Sequence, residues 1–125
     1  MQLRLYSTST LRALIYIFTS VAFLASNTYA QILMSNGSST TCSDDFFDSG
    51  GILANYNSSE NFVYTICPAA LGNVTQVAFN SFFLENNFDF LNIYDGNSTA
   101  APLIGSFTGA TNPGTIAASL LNGGC

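Results

Sequence analysis

Residues 83–96 read FLENNFDFLNIYDG and combine an apolar, strand-like pattern with three of the seven acidic residues of the chain. Apolar and polar positions alternate over residues 88–94, as in a β-strand with one buried face. The Asp-Gly pair at 95–96 tolerates the positive φ angles of a tight turn and predicts the end of this strand. Glu85 and Asp89 have no basic side chain nearby in the sequence. They therefore raise the question of which cation balances them.

Short apolar runs of the same kind recur after residue 42 and predict an all-β fold. They are separated by segments rich in Gly, Asn, Ser and Pro, which favour turns. No stretch after residue 30 keeps a helical period for more than about two turns. Strands spaced about ten residues apart predict an antiparallel β-sandwich of jelly-roll type. Besides 88–94, the predicted strands are residues 62–66 (FVYTI), 74–79 (VTQVAF), 102–107 (PLIGSF) and 115–119 (TIAAS).

Residues 1–30 have the organisation of a helical secretory signal peptide. Arg4 and Arg12 lie in a polar leader, an apolar core follows at residues 13–25, and small residues precede the expected cleavage after Ala30. The apolar core is shorter than the roughly twenty residues that a membrane span requires. We therefore expect a secreted or cell-surface protein that meets the membrane only through this peptide during export. Residues 31–41 (QILMSNGSSTT) are expected to be a loose polar leader.

The chain after the signal peptide is acidic and contains no base. Residues 31–125 hold all seven carboxylates and no Lys, Arg or His. Nucleic acid is excluded as a partner because neutralising phosphates requires Lys or Arg. Neither a Ser-His nor a Cys-His nucleophile pair can be built, and no imidazole is present to bind zinc. The remaining oxygen donors suit a hard cation such as calcium.

Three cysteines, Cys42, Cys67 and Cys125, belong to a chain that is expected to be exported. Export permits disulfides, but three cysteines cannot all pair within one chain. One of them is therefore free, bonded to another chain, or bonded to a cysteine beyond this sequence. The final residues, NGGC, have no closing strand after them and predict a fragment of a longer protein.

A series of motifs occurs in consecutive order between residues 42 and 125: FFDSGG, NY, YTI, VTQVAFNSFFLE, FDFLNIYDG, PLIGSFTG and PGTI. This series resembles a CUB domain, most closely the type found in bacterial secreted and cell-surface proteins. The resemblance implies a jelly-roll sandwich that binds protein or carbohydrate outside the cell and is joined to further domains. The family pattern continues past PGTI with strands that this chain lacks. It therefore implies a partial domain over residues 42–125.

The resemblance also implies a calcium site at one end of the sandwich. The glutamate and aspartate that bind calcium in calcium-binding members match Glu85 and Asp89. The position of a further, tyrosine ligand falls on Glu60, which is also an oxygen donor. The loop between Glu85 and Asp89 is shorter than in the best-known calcium-binding pattern, and another ligand aspartate would follow Cys125. The resemblance thus implies Glu60, Glu85 and Asp89 as calcium ligands.

The cysteines depart from the family pattern. Many members have a cysteine where Phe62 stands, whereas this chain has Cys67, five residues further on. We expect a disulfide between Cys42 and Cys67. We expect Cys125 to pair with a cysteine beyond the end of this sequence.

Two enzymatic alternatives to a binding module arise from the carboxylates. The motif FFDSGG at 46–51 places Asp48 in an Asp-Ser-Gly sequence like the catalytic loop of a homodimeric aspartic protease, where two aspartates share a proton. The same residues suit a turn in which the glycines adopt conformations that other residues avoid. Glu85 and Asp89 could form a glycosidase pair on carboxylate count alone. We expect instead a non-enzymatic binding or adhesion module.

Four Asn-x-Ser/Thr sequons complete the features of the sequence. They mark either N-glycosylation sites or polar loops, depending on whether the source glycosylates. The sequons begin at Asn36, Asn57, Asn73 and Asn97.

Overall fold

The computed structural model describes residues 31–125, which form eight short strands and two 3₁₀ helices of three residues. The signal peptide predicted for residues 1–30 lies outside the described residues. Within residues 31–125 no helix is long and apolar enough to cross a membrane. The strands are β1 (Gln31–Leu33), β2 (Gly37–Thr41), β3 (Asp45–Phe47), β4 (Tyr64–Pro68), β5 (Gln76–Ala78), β6 (Leu91–Tyr94), β7 (Leu103–Phe107) and β8 (Thr115–Ala117), and the 3₁₀ helices are Gly51–Leu53 and Leu120–Asn122.

The strands hydrogen-bond in four ribbons of two strands each. β5 pairs with β8 and β6 pairs with β7 in antiparallel ribbons. β1 pairs with β3 and β2 pairs with β4 in parallel ribbons. Each parallel pair skips the strand between its members, so the chain has the length to return in the same direction. The predicted all-β class is confirmed, with parallel pairs that the antiparallel prediction did not include.

The five predicted strands all form: β4 is shifted two residues towards the C-terminus, and the other four have narrower bounds than predicted. In β6 buried and exposed side chains alternate as predicted, since Leu91 and Ile93 are half-buried and Asn92 is exposed. The strand begins at Leu91 and not at residue 88. Phe88 and Phe90 are 77% and 54% exposed, so they do not belong to a core strand.

The prediction that residues 31–41 are loose is wrong. They form β1 and β2, whose backbone groups pair with β3 and β4. The side chains of β2 are mostly exposed and polar, so this strand carries no apolar alternation that a sequence pattern could reveal. Backbone pairing with β4 holds this strand. Next to it, the amide oxygen of Asn36 accepts a hydrogen bond from the N–H of Val63 at 3.0 Å.

Apolar side chains are half-buried at best in the described part of the chain, which contains no fully buried hydrophobic residue. Two aromatic pairs pack locally: Phe46 with Tyr64 and Phe79 with Phe82, with ring centroids 5.8 and 5.9 Å apart. Two-stranded ribbons are marginally stable in water. Links between the ribbons therefore matter for the stability of the fold.

The strongest such link is the disulfide between Cys67 and Cys125. The predicted bridge between Cys42 and Cys67 is wrong, and so is the expectation that Cys125 pairs beyond this sequence. In the parallel ribbon, Thr40 of β2 lies opposite Cys67 of β4. Cys42 lies two residues beyond Thr40, so it is not opposite Cys67. It is an exposed free thiol.

Candidate functional site

Tyr56 joins two of the three predicted ligand residues, Glu85 and Asp89. Its hydroxyl donates a hydrogen bond to Oδ2 of Asp89 at 2.6 Å and accepts one from the backbone N–H of Glu85 at 3.2 Å. We call these three residues, Tyr56, Glu85 and Asp89, the rim site. The hydrogen bond to Asp89 is the main cause that raises the pKa of Tyr56 above its ordinary value. The phenol therefore keeps its proton and remains a donor to the carboxylate.

The segment from Glu85 to Asp89 is a single tight turn. The carbonyl oxygen of Glu85 accepts hydrogen bonds from the N–H groups of Phe88 and Asp89, at 3.2 and 3.0 Å. Asn87 has a φ of 65°, a left-handed conformation that asparagine tolerates better than most residues. The short NNF loop thus brings Glu85 and Asp89 one turn apart, between the Phe residues at 83 and 90 that are exposed to solvent.

Residues at the end of β7 hold this turn in place. The hydroxyl of Thr108 accepts a hydrogen bond from the N–H of Asn87 at 3.0 Å and lies 3.3 Å from the carbonyl oxygen of Glu85, to which it donates. The carbonyl of Gly109 accepts a hydrogen bond from the N–H of Leu84 at 2.9 Å. Gly109 is buried with a φ of 70°, and a Cβ there would lie 3.0 Å from Oδ1 of Asn86. The position therefore requires glycine for both conformation and space.

Glu60, the third predicted ligand, binds elsewhere. Its Oε2 accepts a hydrogen bond from the hydroxyl of Ser49 at 2.5 Å, and its Oε1 accepts from the backbone and side-chain N–H groups of Asn57 at 3.1 and 2.9 Å. The hydrogen bond from Ser49, followed by those from Asn57, lowers the pKa of Glu60. Asn57 follows Tyr56 directly, so Glu60 fixes the loop that positions Tyr56.

The three predicted ligands consequently do not converge. Within residues 31–125, no three acidic, cysteine or histidine side chains come together as a metal-binding group. The structure brings Glu85 and Asp89 together through Tyr56 and leaves Glu60 in its own hydrogen-bond network. Tyr56 was not among the predicted ligands, because no local pattern in the sequence indicates that it reaches a residue 33 positions away.

The carboxylate of Asp48 is a turn acceptor. Its Oδ1 accepts hydrogen bonds from the N–H groups of Gly50 and Gly51 at 2.9 and 3.1 Å, and the residue is exposed. A Cβ on Gly50 would lie 2.3 Å from the carbonyl oxygen of Asn55, so only glycine fits there. Asp48 therefore has the structural role expected of a turn, and the protease alternative gains no support from it.

A second polar cluster surrounds Asp95, whose donors Ser119 and Asn122 lie shortly before Cys125 in the sequence. Oδ1 of Asp95 accepts from the N–H of Ser119 at 2.6 Å, and Oδ2 accepts from the Ser119 hydroxyl and from Nδ2 of Asn122, both at 2.7 Å. The Ser119 hydroxyl is the main cause that lowers the pKa of Asp95, followed by the Ser119 N–H and Asn122. We call this region, with Cys67 and Cys125, the disulfide end.

The described residues thus define an all-β module in which donors of the same chain occupy both oxygens of Asp95, whereas Asp89 is half-buried and Glu85 is exposed. The sequence comparison identifies the class: the CUB domain family model matches residues 36–121. The match covers more than half of the chain, which therefore belongs to the CUB domain family. No solved structure matches the chain. CUB domains are typically extracellular binding modules, are generally non-enzymatic, often bind calcium and commonly mediate protein interactions within larger proteins.

Proposed function

We propose that this chain is a non-enzymatic extracellular binding or adhesion module whose ligand-contacting surface is the rim site. The observation that carries the proposal is the bridge that Tyr56 forms between the carboxylate of Asp89 and the backbone of Glu85. The bridge pre-orders two acidic residues on a tight turn, which reduces the entropy that binding must otherwise overcome.

The surroundings of the rim site favour a protein or carbohydrate ligand. Phe83 and Phe90, which flank the turn, and Phe88, which lies within it, are 76%, 54% and 77% exposed. Exposed aromatic rings supply apolar contact area, and exposed apolar patches mark interaction sites. Neighbouring carboxylates accept hydrogen bonds from hydroxyl groups or pair with Lys and Arg. Residues 31–125 carry seven carboxylates and no base, so a cationic or hydroxyl-bearing partner fits best.

Calcium at the rim site is part of the proposal. Calcium takes six to eight oxygen ligands at about 2.3–2.6 Å, and carboxylates are its usual protein donors. Glu85 and Asp89 would supply carboxylate oxygens and Tyr56 would hold Asp89 in place. Further oxygens from water, the ligand or another segment would complete the shell. Bound calcium would neutralise the two carboxylates and offer coordination positions to a hydroxyl or carboxyl group of a partner.

Export and a larger domain are the remaining parts of the proposal. The sequence of residues 1–30 and the disulfide support secretion. We propose that further strands complete the sandwich, because each sheet has only two strands and no hydrophobic side chain in residues 31–125 is fully buried. An environment-sensitive dye that fluoresces on apolar surfaces should bind the chain strongly. Dye binding no greater than that of an ordinary folded domain would contradict this part.

The calcium-dependent binding function is tested by two measurements on the same variants. Asp89→Asn should abolish calcium-dependent stabilisation, whereas Asp45→Asn, a matched exposed aspartate in β3, should keep it. With a dissociation constant of about 1 mM, typical of weak extracellular sites, 10 mM calcium would stabilise the wild-type chain by about 1.4 kcal/mol. Differential scanning fluorimetry with and without calcium measures this effect.

A glycan array probed in calcium and in chelator then tests the ligand. Binding of the chain to a glycan on the array that requires calcium and is lost in Asp89→Asn supports the full proposal. Glycan binding that is the same with and without calcium, and the same in the wild-type chain and in Asp89→Asn, would place ligand binding outside the rim site. The absence of both a calcium-dependent thermal shift and glycan binding in calcium would reject the calcium site and carbohydrate binding together.

A further inference from the structure

The four sequons of the chain all fall within the described residues, and they differ in hydrogen bonding and exposure. An N-glycan is attached to Nδ2 of the asparagine in Asn-x-Ser/Thr, so the amide and the hydroxyl two residues later must both reach the transferase. A sequon whose groups are held in internal hydrogen bonds or strand pairing cannot enter an enzyme site without disturbing the fold. Hydrogen bonding and exposure therefore rank the four sites.

Two sequons have their asparagine amides engaged. Oδ1 of Asn36 accepts a hydrogen bond from the N–H of Val63 at 3.0 Å, and the sequon serine, Ser38, lies in β2 opposite Thr65 of β4. Nδ2 of Asn57 donates to Glu60 at 2.9 Å. A glycan on Asn57 would be built on the nitrogen that holds the Tyr56 loop in place.

The sequon at Asn73 is held through its threonine. The hydroxyl of Thr75 donates to the carbonyl oxygen of Ile66 at 2.9 Å, and the N–H of Thr75 donates to Gly124 at 2.7 Å. Gly124 is buried, and a Cβ there would lie 2.5 Å from the carbonyl oxygen of Asn73. This segment is thus packed closely against the chain next to Cys125.

The sequon at Asn97 differs from the other three. Residues 97–100 are all exposed in the connection between β6 and β7. The hydrogen bonds of this connection are local: the hydroxyl of Ser98 accepts from the N–H of Ala100 at 3.3 Å, and its carbonyl accepts from Ala101 at 3.1 Å. Within residues 31–125 the side chains of Asn97 and Thr99 take part in none of the observed hydrogen bonds.

We propose that Asn97 is an N-glycosylation site of the exported chain, and that it is the preferred one of the four. The donor is a lipid-linked oligosaccharide diphosphate. Nδ2 of Asn97 forms a bond to the anomeric carbon of the sugar as the bond from that carbon to the diphosphate oxygen breaks. The electron pair leaves with the lipid diphosphate, and the amide proton passes to a base of the transferase. The proposal rests on export into a compartment that contains the transferase and its lipid-linked donor, and it is independent of calcium or ligand binding at the rim site.

The position of Asn97 keeps the glycan away from the rim site. Asp89 precedes β6 and Asn97 follows it, so the two residues lie at opposite ends of this strand. A glycan at Asn97 would cover the end of the fold near Asp95 and leave the Tyr56 bridge open to a ligand. Glycosylation and binding are therefore compatible in one molecule.

To test the proposal, the full chain is expressed in a eukaryotic secretory host. The protein is then collected from both the cells and the medium. Peptide N-glycosidase treatment in ¹⁸O-labelled water marks each formerly glycosylated asparagine, and peptide mass spectrometry locates the label. We expect the label at Asn97 and a loss of one glycan, seen as a gel shift, in Asn97→Gln and in Thr99→Ala. Asn57→Gln is the matched control and should keep the wild-type glycan number.

Thr99→Ala keeps the asparagine and separates loss of the sequon from a fold defect caused by replacing Asn97. An unlabelled Asn97 in the collected chain would overturn the proposal. Label at Asn57 or Asn36 that equals or exceeds the label at Asn97 would overturn the ranking by hydrogen bonding. Calcium-dependent stabilisation of the same preparations reports on the rim site separately, so each idea can fail alone.

Discussion

The rim site and the disulfide end both use aspartates without any basic partner, yet they use them in opposite ways. At the disulfide end, Asp95 accepts three hydrogen bonds from Ser119 and Asn122, so both of its oxygens are occupied by donors of the same chain. At the rim site, Asp89 accepts one side-chain hydrogen bond, from Tyr56, and Glu85 contributes its backbone N–H to that bridge.

The difference shows how a carboxylate becomes structural or available for binding. A carboxylate whose lone pairs are filled by internal donors stabilises the fold and has little capacity for a ligand. A carboxylate held by one donor is oriented but keeps acceptor positions free. The same residue type therefore occurs in two hydrogen-bonding environments, which differ in the number of internal donors.

The largest effect should come from breaking the covalent link at the disulfide end. The Cys67–Cys125 bridge joins residues 58 positions apart, for which the loop-entropy relation gives about 4 kcal/mol. Cys125→Ser should lower the free energy of unfolding by about that amount, measured by denaturant titration. Cys42→Ser, which removes the exposed free thiol, should leave it unchanged. A large loss in Cys42→Ser and none in Cys125→Ser would mean that the bridge is the one expected from the sequence.

Removing the charge of Asp95 should have the next largest effect on stability. Its pKa is lowered in the folded chain by the donors of Ser119 and Asn122. Its contribution is therefore present above the ordinary aspartate pKa of 3.8 and is lost as the pH falls through the lower folded-state pKa. Asp95→Asn should destabilise the chain at neutral pH and flatten the acid branch of its pH–stability profile.

Asp45→Asn serves as the control for this measurement, because Asp45 is an exposed aspartate whose side chain makes none of the observed hydrogen bonds. Denaturant midpoints across the acid range give the profile. An Asp95→Asn profile parallel to that of the wild-type chain would show that the cluster does not depend on the charge of Asp95.

The smallest stability effect should come from the rim site. Tyr56→Phe removes one hydroxyl that bonds to a carboxylate and to a backbone N–H, which should cost about 1 kcal/mol. Tyr94→Phe, in β6, is the matched control and should cost less. If the comparison between the two regions is correct, Tyr56→Phe should lower the free energy of unfolding more in calcium than without calcium. Equal losses in both would assign Tyr56 a purely structural role.

Short-range patterns were enough to find most strands but not all of them. Apolar alternation located β4 to β8, where one face of each strand is at least partly shielded. It missed β1 and β3, three-residue strands that do not lie within a longer alternating run, and β2, which is polar and mostly exposed. Their pairing depends on backbone hydrogen bonds to distant segments, which leave no period in the sequence. The strand ending at Tyr94 was also predicted too long, because the pattern of Phe88 and Phe90 continues into a turn.

Part of the rim site could be predicted, because Glu85 and Asp89 lie within five residues and resemble family positions. The role of Tyr56 could not, because its partner Asp89 is 33 residues away. Glu60 was expected to join the rim site, but its carboxylate accepts hydrogen bonds from Ser49 and Asn57 instead. The ligand roles of Glu85 and Asp89 stay a prediction.

The sequence by itself determined the all-β class, the family, the acidic and base-free character of residues 31–125, and the positions of the sequons. These features depend on composition and on order along the chain. Only the tertiary structure decided the disulfide partner, the pairing of the ribbons and the separate roles of Asp89, Asp95 and Glu60. The physical reason is that a hydrogen bond or a disulfide needs two groups within a few ångströms. For residues far apart in sequence, that distance depends on how the strands pair.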